Sequence, residues 1–168
     1  MSNHNIEGEE LWKEFVAEYQ RLGRIPKDYE PLAEKLLAAR INRVAILHKA
    51  FSSSDQIAAI YFATLLPNSE LIQLFPDLVL QLVGREGTVA AVHKLLHSLP
   101  RNWVLENIEK FTQPILEKGT YVEYRRVLGF YYELDRNLTF NLADKAATAF
   151  DPDIREAGID FLEKLNKE

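Results

Sequence analysis

The chain has 168 residues, 47% of them hydrophobic and 27% charged, with a formal net charge of −5; that length and balance support a buried core and argue against disorder. The acidic balance weighs against a broad basic footprint for phosphate backbones or for an acidic membrane surface. With no cysteine, disulfides, thiolate zinc sites and thiol catalysis are excluded.

Residues 1–10 are polar and acidic and lack the basic start and apolar run of a secretory signal. No stretch approaches the roughly 18 apolar residues that cross a bilayer; the longest apolar run, 71–83, is interrupted by Gln73, Pro76, Asp77 and Gln81. A cytoplasmic protein without membrane contact is expected.

Helical periodicity dominates from there on. Leu11, Trp12, Phe15, Tyr19 and Leu22 recur at three- and four-residue spacing, Gly23 offers a stop, and 25–31 reads as a turn. The stretch 32–51 reads as two helices meeting near Arg40 to Asn42. Ser52-Ser53-Ser54-Asp55 supplies N-cap residues for a helix over 55–66. Another helix runs from the Pro67-Asn68-Ser69 turn to about Val83, with a bend expected at Pro76, whose ring removes a backbone donor. Helices follow over 88–99, 102–118 (bent at Pro114), 120–134, 136–150 and 152–166. Sustained apolar–polar alternation is missing, so strands are not expected.

The breaks recur in phase. Leu66-Pro67-Asn68, Leu99-Pro100-Arg101-Asn102 and Leu134-Asp135-Arg136-Asn137 each end one helix and start the next. Prolines 67 and 100 lie 33 residues apart, and Asp55, Gly87, Thr120 and Asp153 follow one another at 32, 33 and 33. A two-helix unit of that size cannot bury its apolar faces alone, and stacking on neighbours removes both sides from water. The reading is a single all-α domain over 1–168. Residues 1–54 are capping helices, and 55–166 hold about three and a half helical hairpins: 55–84, 87–118, 120–150 and the half-repeat 152–166. Leu128 is expected in the core.

Asp151-Pro152-Asp153-Ile154-Arg155-Glu156-Ala157-Gly158-Ile159 resembles the opening helix of a HEAT-type repeat, with a proline near the helix start, then an aspartate, an aliphatic residue, an arginine and a small residue. The resemblance is close over about fifteen residues and looser over 55–166. It implies a right-handed α-α superhelix of stacked antiparallel helix pairs, HEAT-like or armadillo-like. The family's ladder of stacked Asp and Arg side chains is incomplete: Arg155 has a counterpart at Arg125, but Ala58 and Ala90 stand at the earlier places. Ala58-Ala59 and Ala90-Ala91 allow close helix approach instead. The period is also shorter than the usual HEAT length.

Chemical motifs are few. His93 and His97 share a helical face at metal-ligand spacing, but Lys94 stands where the zinc-protease glutamate would, and no third ligand is evident in the sequence; no metal and no cofactor is expected. Glu9, Glu10, Glu14 and Glu18 read as a solvated face rather than an acid–base pair. Gly84-Arg85-Glu86-Gly87 is too short for a phosphate loop. Tyr121, Tyr124, Phe130, Tyr131 and Tyr132 with Arg125 and Arg126 form the densest aromatic–basic group, a composition that single-stranded nucleic-acid sites use. These residues circle their helix, however, so several must pack inside.

The polar sides of the second helices repeat. Glu70, Gln73, Asp77 and Gln81 form one stripe; Asn102, Glu106, Glu109 or Lys110, and Gln113 form the next; Asn137, Asn141, Asp144 or Lys145, and Thr148 form a third. In a HEAT-like superhelix the second helices line the concave face, so the stripes would make one mildly acidic groove. The resulting expectation is a non-enzymatic interaction module or scaffold that binds a basic protein or peptide there. The resemblance implies two alternatives. One is a HEAT-like nucleic-acid-binding protein or DNA glycosylase relative. The other is a bilin-lyase-like subunit; a small acidic binding protein also suits an immunity or inhibitor role.

Overall fold

Side-chain caps fix where most of the later helices begin. Thr120 and Glu123 form a reciprocal capping box at the start of one helix. The Asp135 carboxylate accepts from the Asn137 and Leu138 amides at the next. Asp151 accepts from Asp153 and Ile154, with Pro152 in the first turn, at the last. The computed structural model describes residues 3–22 and 30–167, and among them there is no strand. The helices are α1 (Asn3–Leu22), α2 (Glu30–Ala38), α3 (Arg43–Phe51), α4 (Gln56–Ala63), α5 (Asn68–Gln73), α6 (Phe75–Gln81), α7 (Val89–Ser98), α8 (Arg101–Lys118), α9 (Tyr121–Leu134), α10 (Arg136–Ala147) and α11 (Pro152–Asn166), with a 3₁₀ turn over Glu86–Thr88. No described helix is long and apolar enough to cross a membrane.

Most expected boundaries fall within a few residues of these, and 32–51 does divide at 39–42. The expected Gly23 stop lies outside the described residues, as does most of the turn at 25–31. Two details differ. The helix before Gly84 breaks at Leu74, two residues ahead of Pro76, which then occupies the second position of α6, where its missing N–H costs nothing. α8 continues as one helix with Pro114 in its interior. Asp55 makes no side-chain cap; Ser53 Oγ accepts from the Asp55 amide at 3.1 Å instead.

The chain divides into two compact units, Met1–Asp77 and Leu78–Glu168. In the first, Trp12 and Phe15 of α1 pack edge-on against Phe62 of α4, with ring centroids 6.0 and 5.3 Å apart. Leu36, Leu47 and Ile60 are fully buried in this unit. Arg43 closes the end of α2 by donating to the Leu37 carbonyl at 2.9 Å, and it pairs with both Glu70 oxygens at 2.6 and 3.0 Å.

In the second unit α10 and α11 make the most extensive helix contact, and α9 packs on both. Gly158 permits that approach: a Cβ there would lie 2.3 Å from the Ala147 nitrogen. Leu96, Ile108, Val127, Leu128 and Phe130 fill the core, and Leu128 is fully buried as expected. Two of the recurring turns carry a shared device. Arg101, opening α8, donates to the Leu134 carbonyl that ends α9 at 2.9 Å, and Arg136, opening α10, donates to the Leu165 carbonyl near the end of α11. Each guanidinium satisfies a carbonyl that the helix end leaves without a partner. Arg125 bridges α9 to α11, at 2.8 Å to Asp160 and 3.4 Å to Glu156. Ala58 and Ala59 are buried, whereas Ala90 is exposed and supports no close approach.

Candidate functional site

A polar concavity lies in the second unit, where α8, α9 and α10 meet. It is a cleft of about 400 Å³, lined on α8 by Glu109, Thr112, Gln113, Leu116 and Glu117, on α9 by Tyr124 and Tyr131, and on α10 by Asn141, Leu142 and Lys145. Its size falls within the range of small-ligand sites. Glu109, Thr112 and Gln113 lie three and four residues apart or adjacent, so the α-helical repeat turns them to one side of α8.

The floor is a buried hydroxyl pair. Thr112 Oγ1 lies 2.6 Å from Tyr131 Oη and 3.1 Å from the Ile108 carbonyl one turn back. Thr112 has one proton, and the backbone carbonyl can only accept. All three groups are satisfied when Thr112 donates to Ile108 and Tyr131 donates to Thr112. Burial pushes the Tyr131 phenol up to about 12; the Thr112 hydrogen bond acts against this and the Glu109 charge adds to it. The phenol is therefore neutral at physiological pH. At the wall, Gln113 Nε2 donates to Glu117 Oε1 at 2.9 Å.

Four of the stripe residues expected from the sequence, Glu109, Gln113, Asn141 and Lys145, meet in this cleft. Asn102, Glu106, Lys110 and Asp144 are exposed but do not line it. The first stripe is placed differently from the expectation of a solvated polar face. Asp77 and Gln81 are buried, at 7% and 6% exposure. The Asp77 carboxylate accepts from His48 Nδ1 at 2.9 Å, and Glu70 is held by Arg43. Gln73 is exposed and donates to the Ser69 carbonyl. A carboxylate drawn out of water needs a partner, so Glu70 and Asp77 of this stripe serve internal pairs instead. Charge reversal at Asp77 would therefore probe folding rather than binding.

The aromatic–basic group is also taken apart. Phe130 and Tyr131 are buried. Arg125 is engaged with Asp160 and Glu156, and Arg126 donates to the Gly84 carbonyl. Both guanidiniums are engaged within the fold, while Tyr121 one turn before Arg125 stays exposed.

A second polar cluster was not legible in the sequence. His93 Nδ1 and His97 Nε2 lie 2.9 and 3.2 Å from one oxygen of Glu133, which comes from α9, forty residues after His93. Both rings pack on Phe130, with centroids 5.2 and 5.1 Å away. Burial acts to raise the Glu133 carboxyl, but the hydrogen bonds and charges of His93 and then His97 outweigh it and hold the group below the usual glutamate range. The cluster is closed by hydrogen bonds, and among the described residues no group of three or more His, Asp or Glu is disposed to hold a metal ion. His93 Nε2 is buried and lacks a hydrogen-bond partner.

No family model matches the chain, and neither a curated protein nor a solved structure is found to match it.

Proposed function

We propose that this protein is a non-enzymatic interaction module that binds a basic segment of a partner protein through the second-helix face of α8 and α10. One observation carries the reading: polar residues from the second and third sequence stripes, Glu109 and Gln113 with Asn141 and Lys145, converge on a single cleft with a buried hydroxyl floor. The cleft joins carboxylates, amides and aromatic faces, a mixture that recognises peptide groups and cationic side chains. A right-handed stack of antiparallel helix pairs, HEAT-like in kind, is part of the proposal. The recurrence of the Arg101 and Arg136 contacts from one helical hairpin to the next supports it. The internal engagement of Arg125 and Arg126 weighs against the nucleic-acid and glycosylase alternatives.

The test is a peptide array of basic, neutral and acidic segments, probed with the intact chain and with a Glu109→Lys/Asn141→Lys variant of unchanged melting temperature. Basic segments should bind the wild type, and the variant should lose about ten-fold or more in affinity. A Glu163→Lys control on exposed α11 surface should bind as the wild type does. Equal binding by the cleft variant would place recognition elsewhere.

A further inference from the structure

The cleft carries charge of both signs, and the two signs come from different helices. Glu109 and Glu117 stand on α8, and Lys145 stands on α10. Both helices pack on α9, whose Tyr131 makes the floor together with Thr112, so α8 and α10 form the facing walls. Glu117 is engaged by the Gln113 amide at 2.9 Å. Glu109 and Lys145 are exposed, and among the described residues neither forms an ion pair. Joining two long, hydrated side chains across a cleft gains little and costs their rotamer freedom, so both charges stay available to a third party. The floor between them is neutral, since the Tyr131 phenol is pushed up to about 12.

We infer that the cleft selects a partner segment carrying one cationic and one anionic side chain, the cation seated at Glu109 and the anion at Lys145. A segment that brings only cations gains at Glu109 and is repelled at Lys145, and one that brings only anions meets the reverse. A segment with one of each gains at both walls, so the pattern of charge is read and not merely its sum. Successive side chains of an extended chain point to opposite sides, which lets near neighbours of opposite sign reach opposite walls. Gln113, one turn after Glu109, and Asn141, one turn before Lys145, place an amide on each wall for the backbone of such a segment. The net charge of −5 draws a basic partner in, and Lys145 then discriminates against one that is uniformly basic. This two-charge site lies in the cleft proposed above to bind the partner and presupposes that role.

The experiment uses the full chain and short capped glycine–serine peptides with two charged positions, set one to three residues apart. The pairs are lysine with glutamate in both orders, two lysines, two glutamates, and two glutamines as the uncharged reference. NMR titration follows the backbone amide signals of Glu109 and Lys145 at about 0.15 M salt, where the Debye length of about 8 Å damps the long-range pull of the net charge. The better mixed peptide should move both signals and bind about three- to five-fold tighter than the doubly basic and doubly acidic ones. Lys145→Glu should make the doubly basic peptide the tightest, and Glu109→Lys the doubly acidic one. The double swap Glu109→Lys/Lys145→Glu should restore the preference for mixed charge with the favoured order inverted. Both positions are exposed, and an unchanged melting temperature verifies the fold of each variant. Wild-type binding of the doubly basic peptide as tight as that of the mixed one, a ranking that ignores the swaps, or amide signals that no peptide moves would each overturn the two-charge site. If basic array segments still lost binding to the Glu109→Lys/Asn141→Lys variant in that event, the interaction role would stand and only the charge pattern would fall.

Discussion

Asp77 and His48 show how a side chain that reads as surface polarity becomes part of an internal pair. Asp77 is nearly buried, and its carboxylate accepts from His48 Nδ1 on α3, whose ring is largely exposed. The hydrogen bond to Asp77, and then its charge, favour the protonated imidazole and outweigh the small opposing effect of burial, so His48 titrates above its ordinary value of 6.5. A folded-state value raised above the unfolded one contributes stability that is fully present below pH 6.5 and lost as pH rises through the raised value. An NMR titration of His48 should therefore give a midpoint above 6.5 that falls back towards it in Asp77→Asn. The same variant should lose the fall in stability above pH 6.5 that the pair supplies. An unmoved midpoint would mean that the pair does not form in solution. The His93–Glu133–His97 cluster was equally invisible at this scale, because the partner of two neighbouring histidines comes from forty residues away.

At the scale of elements, most of the fold was readable because helix signals are local. Caps, apolar spacing and glycine stops act over four residues, and α9 and α11 begin where Thr120 and Asp151 indicate. The break at Leu74 was not readable, since Pro76 is compatible with either the start of a helix or a kink within one. The α10–α11 contact depends on one residue whose importance the sequence only hints at. In isolation, Gly158→Ala should favour helix by about 1 kcal/mol. In place, the added Cβ would sit 2.3 Å from the Ala147 nitrogen and 2.6 Å from the Ala143 carbonyl oxygen. Both are backbone atoms of α10 and cannot rotate away, so the helices must part. The clash wins, and urea denaturation should show a net loss of about 1–3 kcal/mol. A variant as stable as the wild type would mean that α10 and α11 lie farther apart than described.

For the whole molecule, the excess of five negative charges acts at long range whatever the detail of the cleft. It should speed encounter with a basic segment, and salt should remove that advantage, because the Debye length shrinks to about 3 Å at 1 M. Association of the best array peptide should therefore slow several-fold between about 0.05 and about 0.5 M salt, with dissociation changing less. Salt-independent association in stopped-flow would show that charge does not guide the encounter. The sequence by itself determined the helical class, nearly every helix start and the recurrence of the turns, since these follow from forces acting within one or two helical turns of the chain. Only the tertiary structure decided which polar residues remain available to a partner. It drew Glu70 and Asp77 into internal pairs, gave His93 and His97 their Glu133, and brought Glu109, Tyr131 and Lys145 to one cleft. A buried charge must find its counterpart wherever packing places one, and amphipathic spacing carries no record of the helix that will lie opposite.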